Sequence, residues 1–415
     1  MMNVLRIQTH TLRRLTAGGI SSSLARSASS SSRALASALP GYPTPGKAFS
    51  PPPAPSSIMN NAPAAASVSA ITGAAATITD PATIKSDSVL PKSDIPIITT
   101  IADFREWRDK AFREGKTVGF VPTMGALHDG HISLARESLR ENDLTIVSIY
   151  VNPAQFAPHE DLATYPRTLE NDALLLSRCS YLPPIPNGTV RSPSAIFLPS
   201  TKEMYPHGLS HSTQLSTYVV PPPSLTNQME GLSRPTFFRG VATVVSKLLN
   251  ITLPTRFYLG QKDIQQALLL KSLVKELCFP TQVRIIETVR EESGLALSSR
   301  NAYLQGQEKD VAGTLKSALE EVEKAWYNDM SRSEALAVGK RYVDKVVQAN
   351  AGKVDMKLDY IEMNDPHTFE PLGEEVKSGA AAGKGPGVIL SGALWVGKTR
   401  LIDNVLLGEV GWVFE

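Results

Sequence analysis

The chain has 415 residues, a formal net charge of +2, 42% hydrophobic residues and 2 cysteines. That length supports two or three domains, and the balanced charge argues against a dedicated nucleic-acid or membrane surface. Two cysteines form neither a disulfide framework nor a zinc cluster and fit a reducing compartment, and no apolar run reaches the roughly 18 residues of a membrane span.

Residues 1–95 read as a disordered extension. Ser27–Ser32 is nearly all Ser and Pro51–Pro53 is a Pro run, so the segment buries too little apolar surface to offset its chain entropy. Arg6, Arg13, Arg14, Arg26, Arg33 and Lys47 all precede the first acidic residue, Asp80. An Arg- and Ser-rich, acid-free segment has the composition of an organelle transit peptide, so the expected location is mitochondrial or cytoplasmic.

From Ile97 the pattern is globular. Ile101–Arg113 is periodic as an amphipathic helix. Next comes K-T-V-G-F-V-P-T-M-G-A-L-H-D-G-H, Lys116–His131. Val118–Val121 suits a buried strand stopped by Pro122, Gly125 allows a tight turn, and His128, Gly130 and His131 open a helix expected over Ile132–Arg140. A strand, a Gly loop and a helix N-terminus form an anion site. Two imidazoles there can donate to phosphoryl oxygens, so the stretch reads as a nucleoside triphosphate site.

Leu144–Val151 is a second β-branched strand, which completes a βαβ unit and a parallel sheet. Ligands of such sheets sit at the carboxyl ends of the strands, where Asn152 and Gln155 of V-N-P-A-Q-F fall. Thr168–Ser180 and Phe238–Leu249 read as helices and Ala195–Leu198 as a short strand. Arg256–Gly260 is a further strand, and Gly260, Gln261, Lys262 and Asp263 open the helix after it. Lys262 suits polyphosphate as a point charge, and Asp263 suits Mg²⁺, which takes only one or two protein carboxylates. Gln266 lies one turn on, on the same helix face.

Val283–Val289 reads as a strand. The run Leu297, Ser298, Ser299, Arg300 offers two hydroxyls and a guanidinium fork to paired phosphate oxygens. Beyond it, Gln307–Tyr327 and Arg332–Gln348 read as helices, and Leu358–Met363, Val388–Val396 and Leu401–Leu407 as strands. Pro183–Pro193 and Gly373–Gly387 read as surface insertions, and Cys179 and Cys278 as small buried side chains. The resulting organisation is an extension over 1–95, an α/β domain with a parallel sheet over 96–291, and a smaller C-terminal α+β domain over 292–415.

P-T-M-G-A-L-H-D-G-H, V-N-P-A-Q-F, D-L-A-T-Y-P-R-T, G-Q-K-D-I-Q-Q and G-L-A-L-S-S-R-N-A-Y-L stand here together and in this order. That set resembles the pantoate–β-alanine ligase family, and R-L-I-D-N at Arg400–Asn404 resembles its C-terminal strand. H-x-G-H alone also occurs in class I aminoacyl-tRNA synthetases and other nucleotidyl transferases. The resemblance, with the N-terminal extension, points to a eukaryotic form. It implies a Rossmann-like nucleotidyltransferase domain, a homodimer, and ATP with Mg²⁺ as co-substrate and cofactor. It also implies that the pantoate carboxylate attacks ATP to form pantoyl adenylate, which the β-alanine amine then converts to pantothenate and AMP.

On this resemblance Met124, Gly125, His128, Gly130, His131, Gly260, Gln261, Lys262, Asp263, Val289, Leu297, Ser298, Ser299 and Arg300 hold ATP. His131, His128, Lys262 and Arg300 are catalytic, His131 being the proton donor. Gln155 and Gln266 hold pantoate, with Gln155 also near β-alanine and Asn152 in support. Gln261 stands where the family usually has Glu, and Phe237 where it usually has His. The alternatives are another adenylate-forming or nucleotidyl-transferring enzyme, and a nucleotide-binding regulator that has lost catalysis. V-N-P-A-Q-F and Gln266 argue against the first, and retention of the polar set argues against the second.

Overall fold

The computed structural model describes residues 90–415 except 159, 185–187, 210–215 and 380–384. The expected extension therefore lies, over residues 1–89, outside the described residues, as do parts of both insertions. Ile95, assigned to that extension, is buried in the core.

The first layer alternates strands and helices: β1 (Ile97–Ile98), α1 (Ile101–Arg113), β2 (Val118–Thr123), α2 (Asp129–Glu141), β3 (Leu144–Ile149), α3 (Leu169–Ser177), β4 (Ala195–Phe197), α4 (Phe237–Thr252), β5 (Arg256–Gly260), α5 (Ile264–Glu276) and β6 (Gln282–Ile286). The strands form one parallel sheet in the order β1-β4-β3-β2-β5-β6. β2 and β5 are neighbours, but β2 leads to β3 on one side and β5 leads to β6 on the other. Their C-terminal loops diverge and leave a crevice, the position where α/β sheets bind ligands.

Pro122 does not end β2 as expected; the strand runs through it to Thr123. The N–H of Tyr150 donates to the Thr123 carbonyl and that of Leu144 to the Thr117 carbonyl, so odd-numbered residues bond β3. Pro122 therefore faces β5, whose register with β2 covers only Gly119 and Phe120. Its missing donor falls beyond the ladder, where proline is tolerated.

The C-terminal part packs α6 (Thr314–Tyr327) and α7 (Arg332–Ala349) on an antiparallel sheet, β7 (Met356–Asn364), β8 (Val388–Val396) and β9 (Thr399–Leu407). The helix expected over Gln307–Tyr327 is two pieces, because Gln307–Val311 ends before α6. The Thr314 hydroxyl donates to the Val311 carbonyl at 2.6 Å, a local bond that competes with helix continuation. Cys278 is exposed, against expectation, while Cys179 is buried. Cys278 follows α5 at φ +56°, a turn position outside the sheet layer. After β9 the chain returns to α5, where the Lys271 ammonium donates to the Trp412 carbonyl at 2.6 Å.

One contact of this fold sets the shape of the cleft. A Cβ on Gly240 of α4 would lie 2.2 Å from the Ala154 carbonyl oxygen and 2.7 Å from Gln155 Cα. The glycine lets α4 press on the 3₁₀ turn Pro153–Gln155. Gly240→Ala should therefore cost about 1–3 kcal/mol, as overpacking does, read from the denaturant midpoint. An unchanged midpoint would show that the helix and turn can separate freely.

Candidate active site

The loop leaving β2 is built by a carboxylate far along the chain. Gly125 (φ +82°) and Ala126 (φ +50°) are successive left-handed residues, a conformation that costs an alanine roughly 1–2 kcal/mol. Asp172 of α3 holds them. Its carboxylate accepts the Ala126 N–H at 3.0 Å, the Leu127 N–H at 2.8 Å and the Thr168 hydroxyl at 3.0 Å. Burial pushes the Asp172 carboxyl pKa upward, and these donors oppose that rise.

His128 caps α2. Its Nδ1 accepts the Gly130 N–H at 3.2 Å, so the helix starts at Asp129, earlier than the expected Ile132. The sequence-based start missed this because imidazole is not among the common cap groups. With Nδ1 accepting, the neutral ring carries its proton on Nε2. A Cβ on Gly130 would lie 2.8 Å from His128 Cε1, so this close approach needs glycine. The His131 ring lies 4.1 Å from that of His128, and its buried Nδ1 has no partner among the described residues. Burial, then His128 and Lys262, push the His131 pKa down to about 3. Burial, then Lys262, push His128 to about 4, against the opposing pull of Asp129 and Asp263. Both rings are neutral donors at pH 7.

The turn Gln261–Asp263 after β5 faces this loop across the crevice. The Lys262 ammonium stands 3.7 Å from the Asp263 carboxylate, and Asp263 is half exposed. On the adjoining wall Asn152 is fully buried. Its Oδ1 accepts the Tyr205 hydroxyl at 2.9 Å, and its Nδ2 donates to Gln155 Oε1 at 3.0 Å. The Gln155 amide in turn donates to Met124 Sδ at 3.2 Å. Asn152 thus orients Gln155.

One cavity of about 260 Å³ brings these groups together. It is lined by Met124, His128, Gly130 and His131; by Asn152 and Gln155; by Gly260, Lys262, Asp263 and Gln266; and by Val289, Leu297, Ser298, Ser299 and Arg300. Gly125 and Gln261 do not line it. Gly125 is buried in the turn behind it, and the Gln261 side chain bonds Asn404 of β9. A second cavity of about 570 Å³ shares Lys262, Asp263, Gln266, Ser298 and Arg300 and continues the cleft along the C-terminal sheet.

The Arg300 fork, expected to be open to phosphate, bonds Asp161 of D-L-A-T-Y-P, with Nε to Oδ2 at 3.0 Å and Nη2 to Oδ1 at 2.8 Å. The Ser299 hydroxyl donates to the Ala126 carbonyl at 3.0 Å, tying this segment to the β2 loop. Sequence reasoning named neither Asp161 nor Asp172, and it also passed over Arg234. The Arg234 guanidinium bonds Glu160 and the Gln155 carbonyl and lies 3.8 Å from the Phe237 ring centroid. The motif containing Asp161 was visible, but its partner is distant in sequence. Asp172 carries no local signal.

A parallel α/β sheet with a histidine-capped helix N-terminus facing a lysine across its switch point defines a nucleotide-binding protein of the nucleotidyl-transferring class. Residues 96–406 match the family model for pantoate-beta-alanine ligase, and the chain belongs to that family. It is 43% identical over 313 residues to the pantothenate synthetase of Moorella thermoacetica, which covers 75% of this chain and 98% of that protein. Over 301 residues it is 41% identical to that of Pseudothermotoga lettingae, covering 72% and 95%. Its fold matches the crystal structure of pantothenate synthetase from Thermus thermophilus with a TM-score of 0.62 at 36% identity, covering 75% of this chain and 99% of that one. It also matches the Francisella tularensis pantoate-beta-alanine ligase complexed with beta-gamma ATP and beta-alanine, with a TM-score of 0.56 at 34% identity, covering 75% and 97%.

The depressed histidine pKa values have a defined consequence. Above pH 6.5 both rings are neutral in the folded and unfolded chain. Below it the unfolded chain takes up protons that the folded site refuses until about pH 4 and 3, so stability falls as pH falls through that window. In the ligand-free protein, NMR of ring-labelled histidines should show no titration of His128 or His131 between pH 7.5 and 5. An inflection near 6.5 for either would mean that burial does not govern these rings.

Proposed function

We propose that this protein condenses pantoate with β-alanine at the expense of ATP, through a pantoyl-adenylate intermediate, with the cleft residues in the following roles. The observation that carries this is the single cavity in which His128, His131 and Lys262 stand with Gln155 and Gln266. A polyphosphate needs the cationic and N–H donors, and a small hydroxy acid needs the two amides.

In the first step a pantoate carboxylate oxygen bonds to the α-phosphorus as the bond from that phosphorus to the β-phosphate bridge oxygen breaks, releasing pyrophosphate. In the second the β-alanine nitrogen bonds to the acyl carbon, the acyl–oxygen bond breaks and AMP leaves. The amine gives up one proton to water as the amide forms. Both steps need positioning and charge neutralisation more than a protein nucleophile. The neutral His128 Nε2–H and the His131 ring donate to phosphoryl oxygens as charge builds. Lys262 neutralises the polyphosphate, and Gln155, oriented by Asn152, holds pantoate with Gln266.

Among the described residues no group of three or more His, Cys, Asp or Glu is arranged to hold a metal. A single half-exposed carboxylate, Asp263, fits a Mg²⁺ that arrives on the triphosphate, an ion that keeps waters and takes few protein ligands. When bound it supplies further charge neutralisation on the phosphates. The homodimer and the organelle address of residues 1–95 belong to the same reading. Sedimentation velocity and imaging of fluorescent fusions with and without that segment test them.

With Mg²⁺, ATP and pantoate the protein should release pyrophosphate, and AMP should appear only when β-alanine is added. Absence of both products from protein that still binds ATP would sink the reading. His131→Ala should lower turnover by roughly 10²–10³, the range for one preorganised donor, and unchanged turnover would remove it from the mechanism. Gln266→Ala should raise the pantoate KM more than the ATP KM; equal rises would mean that Gln266 does not hold pantoate.

A further inference from the structure

The R-L-I-D-N segment of β9 takes no part in the steps above, yet one of its side chains is built onto the turn that carries Lys262. Asn404 is fully buried. Its Nδ2 donates to the Gln261 carbonyl at 3.0 Å and to the Lys262 carbonyl at 2.9 Å. Its Oδ1 accepts the Gln261 side-chain amide at 3.1 Å. Both N–H groups and the oxygen of one amide therefore act on a single turn. The two carbonyls fix which end of the amide is nitrogen, and Gln261, as a donor, matches the oxygen that remains.

The other side of Asn404 is equally fixed. Its backbone N–H donates to Asp403 Oδ1 at 2.8 Å. Both terminal nitrogens of Arg290 donate to the Asp403 carboxylate. In the sheet Asn404 pairs with Ser391 of β8. A fully satisfied buried network of this kind rigidifies what it touches. Among the described residues the Lys262 ammonium has one ion-pair partner, Asp263 at 3.7 Å. The backbone of the turn sets where its side chain starts.

We propose that Asn404, oriented by Gln261, is a positioning residue for Lys262, so that the C-terminal sheet decides where the lysine meets the polyphosphate. This rests on the reading that Lys262 serves the polyphosphate. It explains why Gln261 faces β9 instead of the cavity, and it gives β9 a part in the reaction without contact with any substrate. Aspartate at 404 keeps the shape of the side chain but has no N–H for either carbonyl of the turn and sets an acceptor against them. Alanine at 404 leaves both carbonyls of the turn without their donor, the costly outcome for buried polar groups.

The test measures pyrophosphate release by the full-length protein with Mg²⁺, ATP, pantoate and β-alanine for Asn404→Ala and Asn404→Asp, each with Lys262 present and with Lys262→Ala. Both single variants should lower kcat/KM for ATP by about 10- to 100-fold, the scale of a small misplacement of a reacting group, while the pantoate KM moves far less. In the Lys262→Ala background the same changes should have little further effect, because interacting residues are non-additive. An undiminished loss in that background, or equal effects on both substrates, would show Asn404 to be only a structural link and overturn the proposal. If Asn404→Ala does not fold, the isosteric Asn404→Asp carries the same comparison. Lys262→Ala alone tests the premise separately: unchanged ATP kinetics there would refute the role of Lys262, whatever Asn404 does.

Discussion

The site depends on the divergence of two adjacent parallel strands. β2 passes to β3 on one side and β5 passes to β6 on the other, so neither connecting loop covers the other and a crevice opens at their carboxyl ends. Everything chemical enters from its rims. The β2 side brings a helix N-terminus and two imidazoles, and the β5 side brings Lys262. Other segments are docked onto this gap. Asn152 and Gln155 come from the end of β3, fixed by the close approach of α4 at Gly240. Ser298–Arg300 is tied to the β2 loop through Ser299.

Electrostatics then decides what the groups can do. Two imidazoles whose centroids are 4.1 Å apart, largely withdrawn from water and near a lysine, cannot both be charged. They stay neutral, and the hydrogen bond from Gly130 to His128 fixes which nitrogen of that ring donates. The arginines around the cleft have carboxylate partners: Arg234 with Glu160, Arg300 with Asp161, Arg290 with Asp403 and Arg400 with Glu230. Partly buried pairs add little stability against apolar alternatives, but each leaves a costly uncompensated charge if one partner is lost. Their effect here is geometric. They hold segments distant in sequence at fixed positions around the cavity: Arg290 grips Asp403 of the C-terminal sheet, and Arg400 of that sheet grips Glu230.

The chemistry was far more legible in the sequence than its supports. His128, His131, Gln155, Lys262, Gln266 and Ser298 stand in short segments whose local pattern of apolar run, Gly turn and helix start already says strand, loop and helix N-terminus. All of them line one cavity. Gly125 and Gln261 stand in the same segments and do not, because backbone direction at a turn cannot be read from residue type. Helix and strand ends slipped where a side chain did something uncommon: His128 as a cap, Thr314 bonding back to Val311, Pro122 on the unpaired side of its strand.

By itself the sequence determined the alternation of strands and helices, the parallel sheet, the polar groups that line the cleft and, through ordered motifs, the family. These follow from periodicity and local turn chemistry, which act over a few residues. Only the tertiary structure decided which carboxylate or amide holds each donor in place. Asp172 lies 45 residues from Leu127, Asp161 139 from Arg300 and Asn404 142 from Lys262. A lone Asp or Asn in a helix or strand carries no mark of its partner. Its role exists only when folding brings a distant backbone within about 3 Å and removes the water that would otherwise satisfy it.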